Sequence, residues 1–276
     1  MSSGPANAIR PRDDKRPTEP WHPRPGEVDG ERNGAGAGLR DRYPRATAAA
    51  SVLAVGYLVV AGAMLALGLL VTQLLANGPV GRADQSSTRW LAEHRDGALD
   101  FATNVLSRSA DTAGAVAIAM LVAIILARRR RWHDVGVLVV GLAFELLTFL
   151  AVNFLIDRPR PAVPKLGSVP STSSFPSGHC AAALVIYASV AIFVSAGGGR
   201  PAIRVLAWAG ALIMPLAVGF SRVYRGMHHP LDVAAGLAMG TAVLVVVLAA
   251  FRAADVAAAR AEPQLNGLVP LEREPA

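Results

Sequence analysis

The chain has 276 residues, 53% of them hydrophobic and only 17% charged, whereas a soluble domain carries about a quarter charged residues. That apolar content excludes a wholly disordered chain, and the single cysteine, Cys180, excludes a disulfide scaffold. The net charge of +7 does not indicate nucleic acid, because the basic residues sit at the edges of long apolar runs, as in a membrane protein.

Residues 1–45 are rich in Pro, Gly, Asp and Arg and lack a hydrophobic period, which predicts a disordered tail. From Ala46 to Gly81 no charged residue occurs, room for a spanning helix of about 20 residues with slack for tilt. This run starts too late for a cleavable signal and reads as an uncleaved anchor. Further on, Leu99, Ala102, Val105 and Leu106 share one helical face. The segment 98–109 is either an interfacial helix or an amphipathic cap on the bundle. Thr112 to Ala127 is a shorter apolar run. Val135 to Ile156 follows, interrupted only by Glu145, which is either functional or paired within the bundle. Cys180 to Gly199, Val205 to Ser221 and Val233 to Phe251 complete six candidate spans. These runs are apolar all round, unlike the one-sided helices of a soluble bundle. The expected fold class is therefore all-α: a six-helix transmembrane bundle over residues 46–252, with tails at 1–45 and 253–276.

Orientation follows from the short loops. Nine basic residues in the first tail, the run Arg128–Arg131, the pair Arg200 and Arg204, and Arg252 fall on one side if the spans alternate. That side is expected to be cytoplasmic, with both termini. Residues 82–111, 157–179 and 222–232 then lie outside the cytoplasm in a multi-pass cell-membrane protein.

Three polar clusters lie on that outer side: Asp157-Arg158-Pro159-Arg160-Pro161, Pro176-Ser177-Gly178-His179, and Ser221-Arg222 with His228 and Asp232. Each alone has a plain structural explanation: a helix stop, an N-cap turn, a polar pair. Together they hold what phosphate chemistry requires. Guanidinium forks match phosphate oxygens, helix N-terminal amides add donors, and histidine serves as nucleophile or acid with a carboxylate to orient it.

In order and spacing the clusters resemble the signature of the type 2 phosphatidic acid phosphatase superfamily: K-x6-R-P, then P-S-G-H, then S-R-x5-H-x3-D. The second and third blocks match at every fixed position, with 41 residues between His179 and Ser221, and the continuation to Gly236 is also similar. The resemblance covers about residues 145–250. One departure stands out: the family lysine falls on Asn153, with Arg158 and Lys165 as nearby cations.

The resemblance implies an integral membrane phosphatase acting on a lipid phosphate or diphosphate, such as phosphatidic acid, phosphatidylglycerol phosphate or a polyprenyl diphosphate. His228 would attack phosphorus to form a phosphohistidine, with Asp232 fixing its tautomer. His179 would protonate the leaving oxygen and then help water attack. Arg160, Ser177, Gly178 and Arg222 would hold the phosphoryl oxygens, with Asn153 a further contact. No cofactor is implied, and no metal either, since facing arginines would repel a divalent ion. The expected partners are the lipid substrate and the bilayer, not nucleic acid. Two alternatives remain: a phosphotransferase using the same intermediate, and a lipid-headgroup binder or transporter with weak catalysis. If position 153 contacts phosphate, Asn153→Lys would raise turnover about tenfold. His229 is expected to be a turn residue, Cys180 a packing residue, and Tyr224 with Arg225 either an entrance lining or a loop anchor.

Overall fold

The computed structural model describes residues 43–169 and 171–266, with side chains to residue 261. Nearly all of the tail expected at residues 1–45, and residues 267–276 of the second tail, lie outside the described residues. All regular structure among the described residues is helical.

Helix α1 (Pro44–Leu69) opens on a proline, whose missing N–H costs nothing at that position, and continues into a π-helical segment, Leu70–Leu75. Two shorter helices follow, α2 (Pro79–Glu93) and α3 (Gly97–Ser109). The Asp96 carboxylate caps α3 by accepting from the amides of Ala98 and Leu99, both at 2.9 Å. Asp111 caps α4 (Thr112–Arg128) in the same way through the Gly114 amide. The remaining helices are α5 (Trp132–Leu155), α6 (Gly178–Ala196), α7 (Pro201–Tyr224) and α8 (Pro230–Asn266).

Five of these, α1 with its π segment, α5, α6, α7 and α8, are long and apolar enough to cross a membrane. Helices α3 and α4 meet that length and apolarity only when taken together, with a 60° bend where they join, the geometry of a broken span or a re-entrant pair. The chain is a multi-pass membrane protein of the expected class. Its core joins Val60 and Met64 of α1, Val137, Phe144 and Val152 of α5, Val185 of α6, and Met239, Val243 and Val247 of α8. Leu58, Leu74, Phe154 and Leu206 are exposed on the periphery, where lipid tails solvate them as well as a protein interior would.

Helix α6 is central, packing against α4, α5, α7 and α8. Its approach to α8 depends on Gly236, where a Cβ would lie 2.3 Å from the Ser177 carbonyl oxygen. Backbone pairing of the Ser177 amide to the Asp232 carbonyl, at 3.0 Å, joins the same two helix starts.

Some boundaries differ from the sequence reading. Helix α2 occupies a stretch in which no element was expected, because its residues are mostly polar. In α3 the residues Leu99 and Val105 are exposed, while Thr103 and Ser107 are buried. The polar side packs on the bundle, so α3 is not a cap held by its apolar face. Helix α7 takes in Arg204 and runs through Ser221 and Arg222 before stopping near Gly226 (φ +73°), a left-handed position that glycine adopts without strain. Beyond the apolar run that ends at Phe251, α8 continues to Asn266 through alanine-rich sequence, the strongest helix former. Residues 253–266, expected to be tail, are thus helical.

Candidate active site

Local backbone rules place each cluster. Helix α5 cannot continue through Arg158-Pro159-Arg160-Pro161, because a residue before proline is pushed out of the helical region. Both arginines therefore stand on extended chain at the mouth of the bundle. Ser177 is the N-cap of α6, which starts with Gly178 and His179 exposing their amides. At α8, Pro230 is the first helical residue and Asp232 reaches back, its Oδ2 accepting the His229 amide at 2.8 Å, the carboxylate half of a capping box.

These elements enclose one cavity of about 620 Å³. Arg160, Thr172, Ser173, Gly178, His179, Arg222 and His228 line its polar end. The rest runs between α4 and α5, along Ala115, Ala119, Leu142, Leu146 and Phe149, with Glu145 also on its wall. Arg160 donates from Nη1 to the Met227 carbonyl at 2.8 Å and from Nη2 to Thr172 Oγ1 and the Ser173 carbonyl, both at 3.3 Å. Arg222 donates to Ser107 Oγ of α3 at 2.7 Å. In both arginines the Nε–H is buried without a protein partner among the described residues. Two orphaned cationic donors beside one cavity fit an anion, since buried donors are otherwise satisfied. Burial holds the Arg160 guanidinium below its ordinary pKa, with the charge of Asp232 pulling it back up.

His228 is buried, with Nδ1 2.7 Å from the Ser174 carbonyl oxygen. A carbonyl only accepts, so Nδ1 carries the proton and Nε2 keeps the lone pair. Burial lowers the His228 pKa below 6.5; the Asp232 carboxylate raises it in part, and Arg222 and Arg160 lower it further. At neutral pH the ring is uncharged, with a lone pair on Nε2.

Of the residues singled out in the sequence, the structure brings Arg160, Gly178, His179, Arg222 and His228 to the cavity. Three others sit elsewhere. Ser177 is fully buried with its hydroxyl 3.2 Å from Cys180 Sγ, and it does not line the cavity. Asn153 donates from Nδ2 to the carbonyls of Ser173 (3.0 Å) and Phe175 (3.2 Å), so it braces the loop before α6. Asp232 Oδ2 lies 3.8 Å from His228 Nδ1, and the carboxylate instead accepts from Arg158, the Ser174 hydroxyl and the His229 amide. The orienting acceptor of His228 is the Ser174 carbonyl, and Asp232 holds Ser174.

The two cations near the family lysine position are also committed. Arg158 is ion-paired to Asp84 and Asp232, and Lys165 Nζ donates to the Pro161 carbonyl at 2.6 Å. Tyr224 is a loop anchor, its hydroxyl meeting Asp100 Oδ1 at 3.0 Å and the Asp96 amide at 2.9 Å. His229 lines a second cavity of about 540 Å³ on the other side of Arg160. Sequence reasoning passed over Asp84, Ser107, Ser173 and Ser174. The hydroxyl-rich run 171–174 ahead of Pro-Ser-Gly-His was a usable signal for the serines. Asp84 and Ser107 lie more than 70 and 110 residues from their arginines, and nothing local marks them. Among the described residues no cluster of three or more His, Cys, Asp or Glu has the geometry to hold a metal ion.

The model of the PAP2 superfamily matches residues 134–255. Decaprenylphosphoryl-5-phosphoribose phosphatase, from two strains of Mycobacterium tuberculosis, is 33% identical over 138 residues, covering 49% of this chain and 70% of that protein. Among solved structures, a PAP2-type transmembrane phosphatidylglycerolphosphate phosphatase from Bacillus subtilis superposes with a TM-score of 0.57 at 20% identity, over 80% of this chain and 97% of its own. LpxE from Aquifex aeolicus matches at a TM-score of 0.48 and 23% identity, over 59% of this chain and 93% of its own.

Proposed function

The chain belongs to the PAP2 superfamily, a family of membrane phosphatases, and from that premise we propose that it hydrolyses a lipid phosphate or diphosphate outside the cytoplasm through a phosphohistidine intermediate. The observation that carries this reading is one cavity whose polar end holds two arginines and two histidines and whose remainder is mostly apolar, with Glu145 the exception. A phosphate fits the first part and an acyl or prenyl chain the second.

His228 Nε2 attacks phosphorus, and the bond from phosphorus to the lipid oxygen breaks. His179 gives that oxygen a proton, so the lipid leaves as an alcohol or, from a diphosphate, as a monophosphate. Water then attacks the phosphohistidine while His179 takes its proton, the bond from His228 Nε2 to phosphorus breaks, and inorganic phosphate departs, leaving both histidines as they began. Arg160 and Arg222 stabilise the equatorial oxygens, joined by the Gly178 amide, in a site already organised before substrate arrives. These groups supply the charge stabilisation that a metal would otherwise give, so no metal is needed. The Mycobacterium tuberculosis relative, named for a decaprenyl-linked phosphoribose, makes a polyprenyl-linked phosphate the first substrate to try. The positive-inside pattern supports an extracytoplasmic site.

Phosphate release from dioleoyl phosphatidic acid, phosphatidylglycerol phosphate, undecaprenyl diphosphate and decaprenylphosphoryl-5-phosphoribose, by purified protein beside its His228→Ala variant, tests the proposal. Release from at least one lipid, abolished in the variant, is expected. Equal release by the variant would overturn the assignment of the nucleophile.

A further inference from the structure

Arg158, the first arginine of the Arg-Pro-Arg-Pro segment, is turned away from the phosphate end of the cavity. It is buried, and each terminal nitrogen of its guanidinium meets a different carboxylate. Nη2 donates to Asp84 Oδ2 at 2.6 Å, and Nη1 donates to Asp232 Oδ1. Asp84 belongs to α2, outside the segment matched by the family model, and its side chain is 2% exposed. Its second oxygen accepts the Leu231 amide at 2.9 Å, tying α2 to the first turn of α8.

The row continues toward the reacting atoms. Asp232 Oδ2 accepts the Ser174 hydroxyl and the His229 amide, and the Ser174 carbonyl accepts from His228 Nδ1. A single chain of polar contacts thus leads from α2 to the imidazole. A guanidinium with both forks occupied has one orientation. Given only Asp232, it would be free to turn toward an incoming phosphate, and Asp232 would lose its fixed position against Ser174. A buried charge that has lost one partner also carries a desolvation penalty, which drives such a rearrangement.

We propose that Asp84 is a positioning residue for phosphoryl transfer: by holding Arg158 it fixes Asp232, and through Ser174 it sets the orientation of the His228 imidazole. This rests on His228 being the nucleophile. Asp84 is not expected to touch substrate, since it lines neither the reaction cavity nor the second one.

The test uses the full chain in lipid nanodiscs, with dioctanoyl phosphatidic acid as probe. Asp84→Asn keeps the size of the side chain and an acceptor for the Leu231 amide but removes the charge. It should lower kcat about tenfold or more while changing KM less than twofold, and Asp84→Glu should recover part of kcat. Arg158→Lys cannot span both carboxylates and should give the same split. The double variant Asp84→Asn/Arg158→Lys should be no worse than the poorer single one, because both break one chain of contacts. A kcat within twofold of the unmodified protein in Asp84→Asn, or a loss in the double variant equal to the product of the single losses, would overturn the proposal. If Asp84→Asn does not fold, Asp84→Glu and Arg158→Lys decide it by the same split. His228→Ala, run in parallel, separates the two ideas: activity surviving there refutes the nucleophile itself, whereas its loss beside an unaffected Asp84→Asn refutes the positioning role alone.

Discussion

Position 153 is where the structure changes the expected outcome most. The sequence places asparagine where the family carries lysine, and restoring the cation looks like a gain in phosphate binding. In the structure both donors of the Asn153 amide are already used, on the Ser173 carbonyl at 3.0 Å and the Phe175 carbonyl at 3.2 Å. These carbonyls flank Ser174, which holds His228. The Ser173 carbonyl also accepts from Arg160 at 3.3 Å, so an ammonium brought to it would face a guanidinium of like charge. A lysine nitrogen stands further from the backbone than the amide nitrogen it replaces, so it reaches these carbonyls only by folding back, at a cost in side-chain entropy. Two hydrogen bonds at about 1 kcal/mol each amount to about 2 kcal/mol of loop order. If all of that is expressed in the placement of Ser174, the rate falls roughly thirtyfold. Asn153→Lys is therefore expected to lower kcat/KM about tenfold or more, and Asn153→Asp, which sets a carboxylate against two carbonyls, to lower it further. Steady-state kinetics on the best lipid substrate, with thermal unfolding to confirm a folded bundle, measures this. A tenfold rise in kcat/KM for Asn153→Lys would refute the reasoning and make position 153 a phosphate contact.

The lowered pKa of His228 means that its neutral form persists into acid, so activity should be lost only as pH falls through a value below 6.5. Asp232→Asn removes a charge that raises that pKa, so its pH–rate profile should show the acid limb still further toward acid, at reduced kcat; a limb above 6.5 in the unmodified protein would contradict the assignment. Ala119→Trp, on the apolar wall of the cavity, should lower kcat/KM for a long-chain lipid phosphate about tenfold while leaving p-nitrophenyl phosphate nearly unaffected, and equal losses on both would mean that the tail binds elsewhere. Vanadate, which mimics the pentacoordinate phosphoryl group, should inhibit, and EDTA should not; loss of activity on chelation would point to a metal. A cysteine placed at Ala162 should react with a membrane-impermeant maleimide on intact cells and one at Arg130 should not, with little background from the buried Cys180; the opposite pattern would invert the orientation.

Much of this protein is legible in its sequence because the constraint is local. Charge-free runs from Ala46 to Gly81 and from Val233 to Phe251 declare membrane spans, since a bilayer admits backbone only as helix or closed barrel. Prolines after Arg158 and Arg160 set where α5 must stop. The spacing of Ser221, Arg222, His228 and Asp232 reports a helix end, a turn and a helix start, and so brings an arginine and a histidine to one place. What remained hidden depends on contacts between residues far apart in the chain. Whether Asn153 meets phosphate or backbone depends on how the 171–177 loop folds over the end of α5. Asp232 looks like the partner of His228 at four residues' spacing, yet its carboxylate is claimed by Arg158, Ser174 and the helix cap. Asp84 sits on a short polar helix that no hydrophobic period announces and Ser107 on the polar side of one read only by its apolar face, and they matter only because tertiary packing buries each beside an arginine. Hydrophobic pattern and turn chemistry act over a few residues, so the sequence alone determined the spans and the residue types at the mouth of the bundle. The satisfaction of buried charges acts through space, so only the tertiary structure decided which carboxylate holds which arginine, and which carbonyl holds the His228 imidazole.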